Sequence, residues 1–433
     1  MHLLRRSLRL IVGLLRWLLL LALMLFVLQY STIPIGLQWN AVGLIVGERQ
    51  FDYVGWELDA LAVKAGETLY GLHPFITEGD RTAYIRQYMA DLGKAETIDA
   101  QINQLFTDPN TPDPQAASAD LRAQRDTLRA DLRSRQPLAE SILEGQVAEV
   151  LVEQGFGAGG QLLPPISAHF TQVPNLLVVS PRDKISFDVS INLKPMTVDE
   201  INALENRVDG LANTSALVVP LGGIALYPSM VLETASIPAA LDTVSHEWLH
   251  HYLFFYPLGL AYFSGESFVG ETRIINETTA NLFGQEMSRK VLARYYPDLL
   301  PPEPSPASTD ANAAPPPPPA FDFGREMDIT RRHVDDLLAA GKVEEAEAYM
   351  EARRKVFVEN GYGIRKLNQA FFAFYGGYQS GAPGVGGADP IGPAVQAIRD
   401  ASPSLHAWVE TMRGITTREG LLAARDKLAA NGE

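Results

Sequence analysis

Residues 246–250 read His-Glu-Trp-Leu-His, inside an apolar stretch of helical character. On an α-helix, positions four apart point to nearly the same side, so His246 and His250 can present two imidazoles to one metal ion. Glu247 stands beside them, where it can hold and deprotonate a water. Ser236 suits the cap of this helix and Pro238 its first turn, while Pro257 and Gly259 mark its end. His251 lies about 100° round the helix from His250 and reads as a helix-face residue. Trp248, Leu249, Tyr252, Leu253 and Phe254 read as core. The bland alternative for the pair is two histidines satisfied by hydrogen bonds on a buried helix.

Two histidines and a water leave zinc one ligand short, since catalytic sites usually supply three protein ligands. The chain contains no cysteine, which excludes thiolate ligands and disulfides. No histidine follows His251 until His333, and Leu253 and Tyr256 stand where an extended three-histidine motif would need Gly and His. The best candidate is Glu277, in Asn276-Glu277-Thr278-Thr279-Ala280-Asn281, on a second helical stretch over about 271–294. Two roughly antiparallel helices would bring His246, His250 and Glu277 together. The alternative for Glu277 is a solvated helix carboxylate like Glu271 or Glu286.

These residues resemble the gluzincins, the thermolysin-like zinc peptidases that pair HExxH with a downstream Asn-Glu-x-x-x-Asp helix. His246, Glu247 and His250 match the first motif, and Asn276 and Glu277 the second. The resemblance implies zinc ligands at His246, His250 and Glu277, with Glu247 as general base. Asn281 departs from it, standing where the family often has an Asp that steadies a ligand histidine. An Asn can still accept an N–H but adds no negative charge behind the ring. In gluzincins the strand before the metal helix pairs with extended substrate, so 222–227 would border the cleft by strand addition. An ordinary edge strand with glycines at a bulge is the equal alternative. Leu367-Asn368-Gln369-Ala370, with Tyr378 following, also resembles the Leu-Asn-Asn-Ala segment of a family of bacterial membrane-associated aminopeptidases. A later Tyr or His commonly bonds the tetrahedral intermediate in gluzincins, which makes Tyr378, Tyr375 and His333 the candidates for that role.

The formal net charge is −15, and no basic patch points to nucleic acid. Arg5, Arg6 and Arg9 precede a run over 10–28 that is apolar except for Arg16, and the next cation is Arg49. That is the length of a membrane span, and the charge bias puts the amino terminus in the cytoplasm and the rest outside. Arg16 can snorkel near the cytoplasmic end. A cleaved signal peptide is the competing reading, but no small-x-small site follows the run.

The expected organisation is a cytoplasmic tip and transmembrane anchor over 1–31, a helical domain over 32–160 and a zinc peptidase core over 161–300. A Pro-rich linker or loop follows over 301–322, then a C-terminal helical subdomain over 323–433 that completes the cleft. Within the helical domain an apolar stripe through Leu121, Leu128 and Leu132 is interrupted at Pro137 and resumes at Leu138. Stretches 176–180, 185–193 and 216–227 are β-rich. Helices are expected over 323–359, 363–375, 393–398 and 405–412.

The fold expected is therefore α+β, mostly helical, with a small β-sheet beside a two-helix zinc site and an N-terminal transmembrane helix. The function expected is a membrane-anchored zinc peptidase acting on a peptide or protein substrate, with Zn2+ as cofactor. A membrane-tethered helical scaffold with a structural or inactive zinc site is the alternative. No Gly-x-Met-Glu-Asn segment is present to mark an aminopeptidase, so the sequence leaves exo- and endopeptidase action undivided.

Overall fold

The computed structural model describes residues 12–21, 38–70, 75–107, 111–264, 270–300, 321–379 and 384–431. The chain divides into two units, Met1–Arg49 and Gln50–Glu433. In the first, 12–21 and Gln38–Val46 are helical. Among the described residues no helix is long and apolar enough to cross a membrane. The expected anchor over 10–28 is described only in its middle, and its two ends lie outside the described residues, as does the Pro-rich segment 301–320.

The second unit is mostly helical with small sheets, an α+β arrangement. Its first helices are α1 (Tyr53–Tyr70), α2 (Glu78–Thr107) and α3 (Ala119–Leu151). Pro137 does not interrupt α3, contrary to the sequence reading. Leu132 on one side and Ala139, Ile142, Leu143 and Val147 on the other are all buried. Burying several such side chains, at ~1.5–3 kcal/mol each, outweighs the ~3 kcal/mol cost of one interior proline.

Two three-stranded sheets follow. Strands β1 (Ala168–Thr171), β5 (Gly223–Ile224) and β6 (Ser229–Leu232) form one, in the order β1-β6-β5. β1 runs parallel and β5 antiparallel to β6, with Gly223 opposite Val231 and Ile224 opposite Met230. Strands β2 (Asn175–Pro181), β3 (Val189–Leu193) and β4 (Thr214–Pro220) form the other, antiparallel in the order β3-β2-β4. Helix α4 (Val198–Asp209) connects β3 to β4 and starts at a capping box between Thr197 and Glu200.

Helices α5 (Ile237–Leu253), α6 (Pro257–Phe263) and α7 (Glu271–Tyr295) carry the candidate residues. The C-terminal region adds α8 (Phe323–Ala339), α9 (Val343–Glu359), α10 (Gln369–Tyr375), α11 (Ile391–Ala401), α12 (Leu405–Met412) and α13 (Arg418–Asn431). The single helix expected over 323–359 is two. Gly341, at φ 72°, takes the left-handed turn that ends α8. The expected start of α10 also moves, from 363 to Gln369, because the Asn368 side chain caps it by accepting the Phe371 N–H at 3.0 Å.

One apolar core draws together α2, α3, α5, α7 and α11–α13, with Trp248, Phe283 and Trp408 among its largest buried side chains. A second lies between the β2–β4 sheet and α8–α10, around Val178, Phe357 and Phe372.

Candidate metal centre

Helix α5 starts as its sequence dictates. The Ser236 hydroxyl accepts the Ala239 N–H at 3.3 Å, and Pro238 fills the first turn. Leu241, Val244, Trp248 and Leu249 anchor its buried face, and Trp248 Nε1 donates to the Pro164 carbonyl at 2.9 Å. Helix α7 packs along α5 through Gly284. A Cβ there would overlap the Asp242 carboxylate and stand 3.2 Å from His246 Cβ, so only glycine lets the two backbones approach this closely. Ser288 Oγ donates to the Pro238 carbonyl at 2.9 Å and fixes the register of the pair.

That packing brings the three expected ligands together. His246 Nε2 and His250 Nε2 are 3.1 Å apart, and Glu277 Oε2 lies 3.5 Å from the first and 3.6 Å from the second. His250 and Glu277 are buried, and His246 is nearly so. Tetrahedral zinc with bonds of ~2.0–2.1 Å separates its ligand atoms by roughly 3.3 Å. The three donors therefore stand at the spacing such an ion requires, and a buried pair of imidazoles with one carboxylate is a chemical match to it.

The other Glu277 oxygen, Oε1, accepts the phenol of Tyr262 at 2.6 Å. The Tyr262 ring also stacks on His250, with centroids 5.2 Å apart and planes at 10°. Tyr262 reaches this position through the corner between α5 and α6. Gly259 packs there so tightly on the Leu253 carbonyl that a Cβ would overlap it. No motif around Ala261-Tyr262-Phe263 announces this role in the sequence.

Glu247 is buried, and its carboxylate abuts edge strand β5. A Cβ on Gly223 would overlap Glu247 Oε1. The segment Gly223–Leu226 lines one cavity of about 290 Å³ together with His246, Glu247, His250 and Glu277. Part of the segment 222–227 thus lines this cavity. His251, outside the His246, His250 and Glu277 group, sits under this segment beside Tyr227, and burial lowers its pKa to about 4.

Burial pushes the Glu247 carboxyl up from its ordinary value, with the two histidines pulling the other way. Glu277 is held well below its ordinary value: burial opposes this, but hydrogen bonds to both histidines and the charges of His250 and Arg273 win. Burial disfavours a charged His246, yet the Glu277 bond and the charges of Glu247, Glu277 and Asp242 raise its pKa. Asp242, one turn before His246 on α5, is the smallest of these contributions, and burial pushes its own carboxyl up from the ordinary value. Asn281 borders an adjoining cavity with Asp242 and His246. His250 Nδ1 finds no hydrogen-bond partner among the described residues; the ring is held by stacking on Tyr262 and by the contacts of its Nε2 with His246 and Glu277.

Of the three candidates for oxyanion contact, Tyr378 lines the 290 Å³ cavity beside the ligands. Tyr375 lines the adjoining cavity with Glu247. His333 is on the exposed face of α8, packed edge-on against Tyr349 at 4.4 Å, and is not brought to the site. Arg273, which the sequence reading passed over, also lines the cavity. No family model, curated protein or solved structure matches this chain.

Proposed function

We propose that this protein is a zinc-dependent peptidase of gluzincin type, anchored to a membrane by the run over 10–28 with its catalytic unit outside the cytoplasm. The anchoring rests on the sequence alone. The peptidase reading is carried by one observation: His246, His250 and Glu277 place three donor atoms 3.1–3.6 Å apart in a cavity that also holds Glu247. Zinc held there supplies Lewis acidity, which acidifies water and polarises a peptide carbonyl. Glu247 accepts the proton of the attacking water and delivers it to the leaving amine. Tyr378 donates its hydroxyl to the oxygen on which charge develops. Gly223 and Ile224 offer the free edge of a short strand along which an extended peptide can lie.

The direct test is metal content with peptide hydrolysis. Protein as purified is expected to hold one zinc per chain and to cleave a peptide mixture, with both properties lost in His250→Ala and activity abolished by a chelator. Hydrolysis that survives both chelator and His250→Ala would defeat the reading. A subtler expectation concerns Tyr262→Phe. Loss of its hydrogen bond to Glu277 should weaken zinc affinity about 10- to 100-fold, measured by competition with a chelating dye, while the stacked ring still holds His250.

A further inference from the structure

We propose that Arg273 binds a carboxylate of the substrate, one or two residues from the scissile bond. The proposal rests on the peptidase reading and narrows its substrate class. Arg273 is 4% exposed, yet among the described residues it makes no ion pair with any Asp or Glu. Glu277 feels its charge, but the Glu277 oxygens are taken up by His246, His250 and Tyr262. A guanidinium buried without a counter-ion costs several kcal/mol, and a bidentate carboxylate is the partner whose geometry fits it best.

The groups that touch the guanidinium are aromatic rings, and the Tyr378 hydroxyl hydrogen-bonds it. The Phe187 ring lies 4.1 Å from Arg273 Cζ, Tyr378 5.3 Å and Phe374 6.0 Å. Gly377 leaves the space it occupies: a Cβ there would overlap Nη1 and stand 2.9 Å from Cζ. The same cavity is lined by Arg273, the three ligands and Glu247, with Leu176, Phe187 and Leu221 as apolar wall. Arg273 is four residues before Glu277, so the two share a face of α7 about one turn apart, a rise of about 6 Å. An extended peptide advances ~3.3–3.6 Å per residue. A carboxylate one or two residues beyond the scissile carbonyl therefore matches the offset. It comes either from a free C-terminus or from an acidic side chain.

The experiment uses the full chain carrying Glu247→Gln, loaded with zinc, and follows binding by calorimetry so that turnover is not needed. Three probes are compared: acetyl-Ala-Phe-Leu with a free carboxyl, the same peptide as its carboxamide, and acetyl-Ala-Phe-Glu-amide. At least one carboxylate peptide is expected to bind about 10- to 100-fold more tightly than the Leu carboxamide. Preference for the free acid assigns the site to a C-terminus, and preference for the Glu amide assigns it to a side chain. Adding Arg273→Gln should erase the preference, and Arg273→Lys should keep part of it. The proposal is overturned if neither carboxylate peptide exceeds the Leu carboxamide, or if the preference persists in Arg273→Gln. The first comparison needs no change at Arg273 and stands even if that variant does not fold. Wild type that cleaves all three peptides with equal kcat/KM sinks the carboxylate site alone. Wild type that binds no zinc and cleaves none sinks the peptidase reading instead.

Discussion

Glu247→Gln is expected to lower peptide hydrolysis by about 10²–10⁴-fold while zinc remains bound. The magnitude is that of removing a positioned general base, and Gln cannot accept the proton that Glu247 accepts. The substitution should be clean because Glu247 is not among the three donors that converge on one point. It is also nearly isosteric, which matters where the carboxylate is pressed against Gly223. Burial already favours a neutral group at this position, so the folded state should lose nothing by the change. Three measurements check this: kcat on a cleaved peptide, zinc per chain, and Tm. A variant that keeps zinc and Tm but hydrolyses at the wild-type rate removes Glu247 from the mechanism and leaves a tethered scaffold with an inert metal site as the better reading.

Much of this site could be read from the sequence because helical periodicity is local. The spacing of His246 and His250 needs only 3.6 residues per turn, and the Glu277 helix needs only to run back along the first. The companions that tune the site were not legible, because each depends on a close approach between distant segments. Tyr262 reaches Glu277 through a corner that Gly259 permits. Asp242 acts on His246 where α5 meets α7 at Gly284. Arg273 is placed by the cleft left at Gly377, a residue 104 positions later in a turn after α10. Glycines in an unaligned sequence do not say what they make room for. Pro137 misled for a related reason: the local rule against proline in helices is weaker than the burial on both sides of it. The last helix, α13, carries no motif and was not foreseen, although Leu421 buries in the main core.

The second large effect is expected in stability, far from the candidate metal. Lys64 on α1 lies 3.0 Å from Glu67 and 2.8 Å from both Glu140 and Glu144 of α3. The two α3 carboxylates also cap the open edge of β1. Glu144 Oε1 accepts the Ala168 N–H, and Glu140 Oε1 the Phe170 N–H, each at 2.7 Å. This junction ties the helices of the first half to the sheet that leads into α5, and Lys64 is its half-buried cation. Lys64→Met should destabilise the fold by about 3–5 kcal/mol, the range for breaking a buried ion pair and stranding its partners. The loss should depend on pH. Burial, outweighing Lys64, raises the Glu67 pKa from 4.5 to about 8, so this group holds its proton longer when folded and erodes stability as pH rises between those values. Glu140 runs the other way: burial is outweighed by Lys64 and His169, its pKa falls to about 2, and its stabilisation, present above 4.5, is lost as pH drops from there toward 2. Without Lys64 both carboxylates should resist ionisation, so urea midpoints of Lys64→Met and wild type should differ most near pH 8, differ less near pH 5, and converge only as pH falls below about 4.5. Glu67→Gln in the wild-type background should do the opposite and stabilise, by an amount that grows from pH 4.5 and levels off above about 8. A Lys64→Met midpoint unchanged at pH 8 would mean that the junction is solvated and contributes nothing to holding α1 and α3 on the sheet.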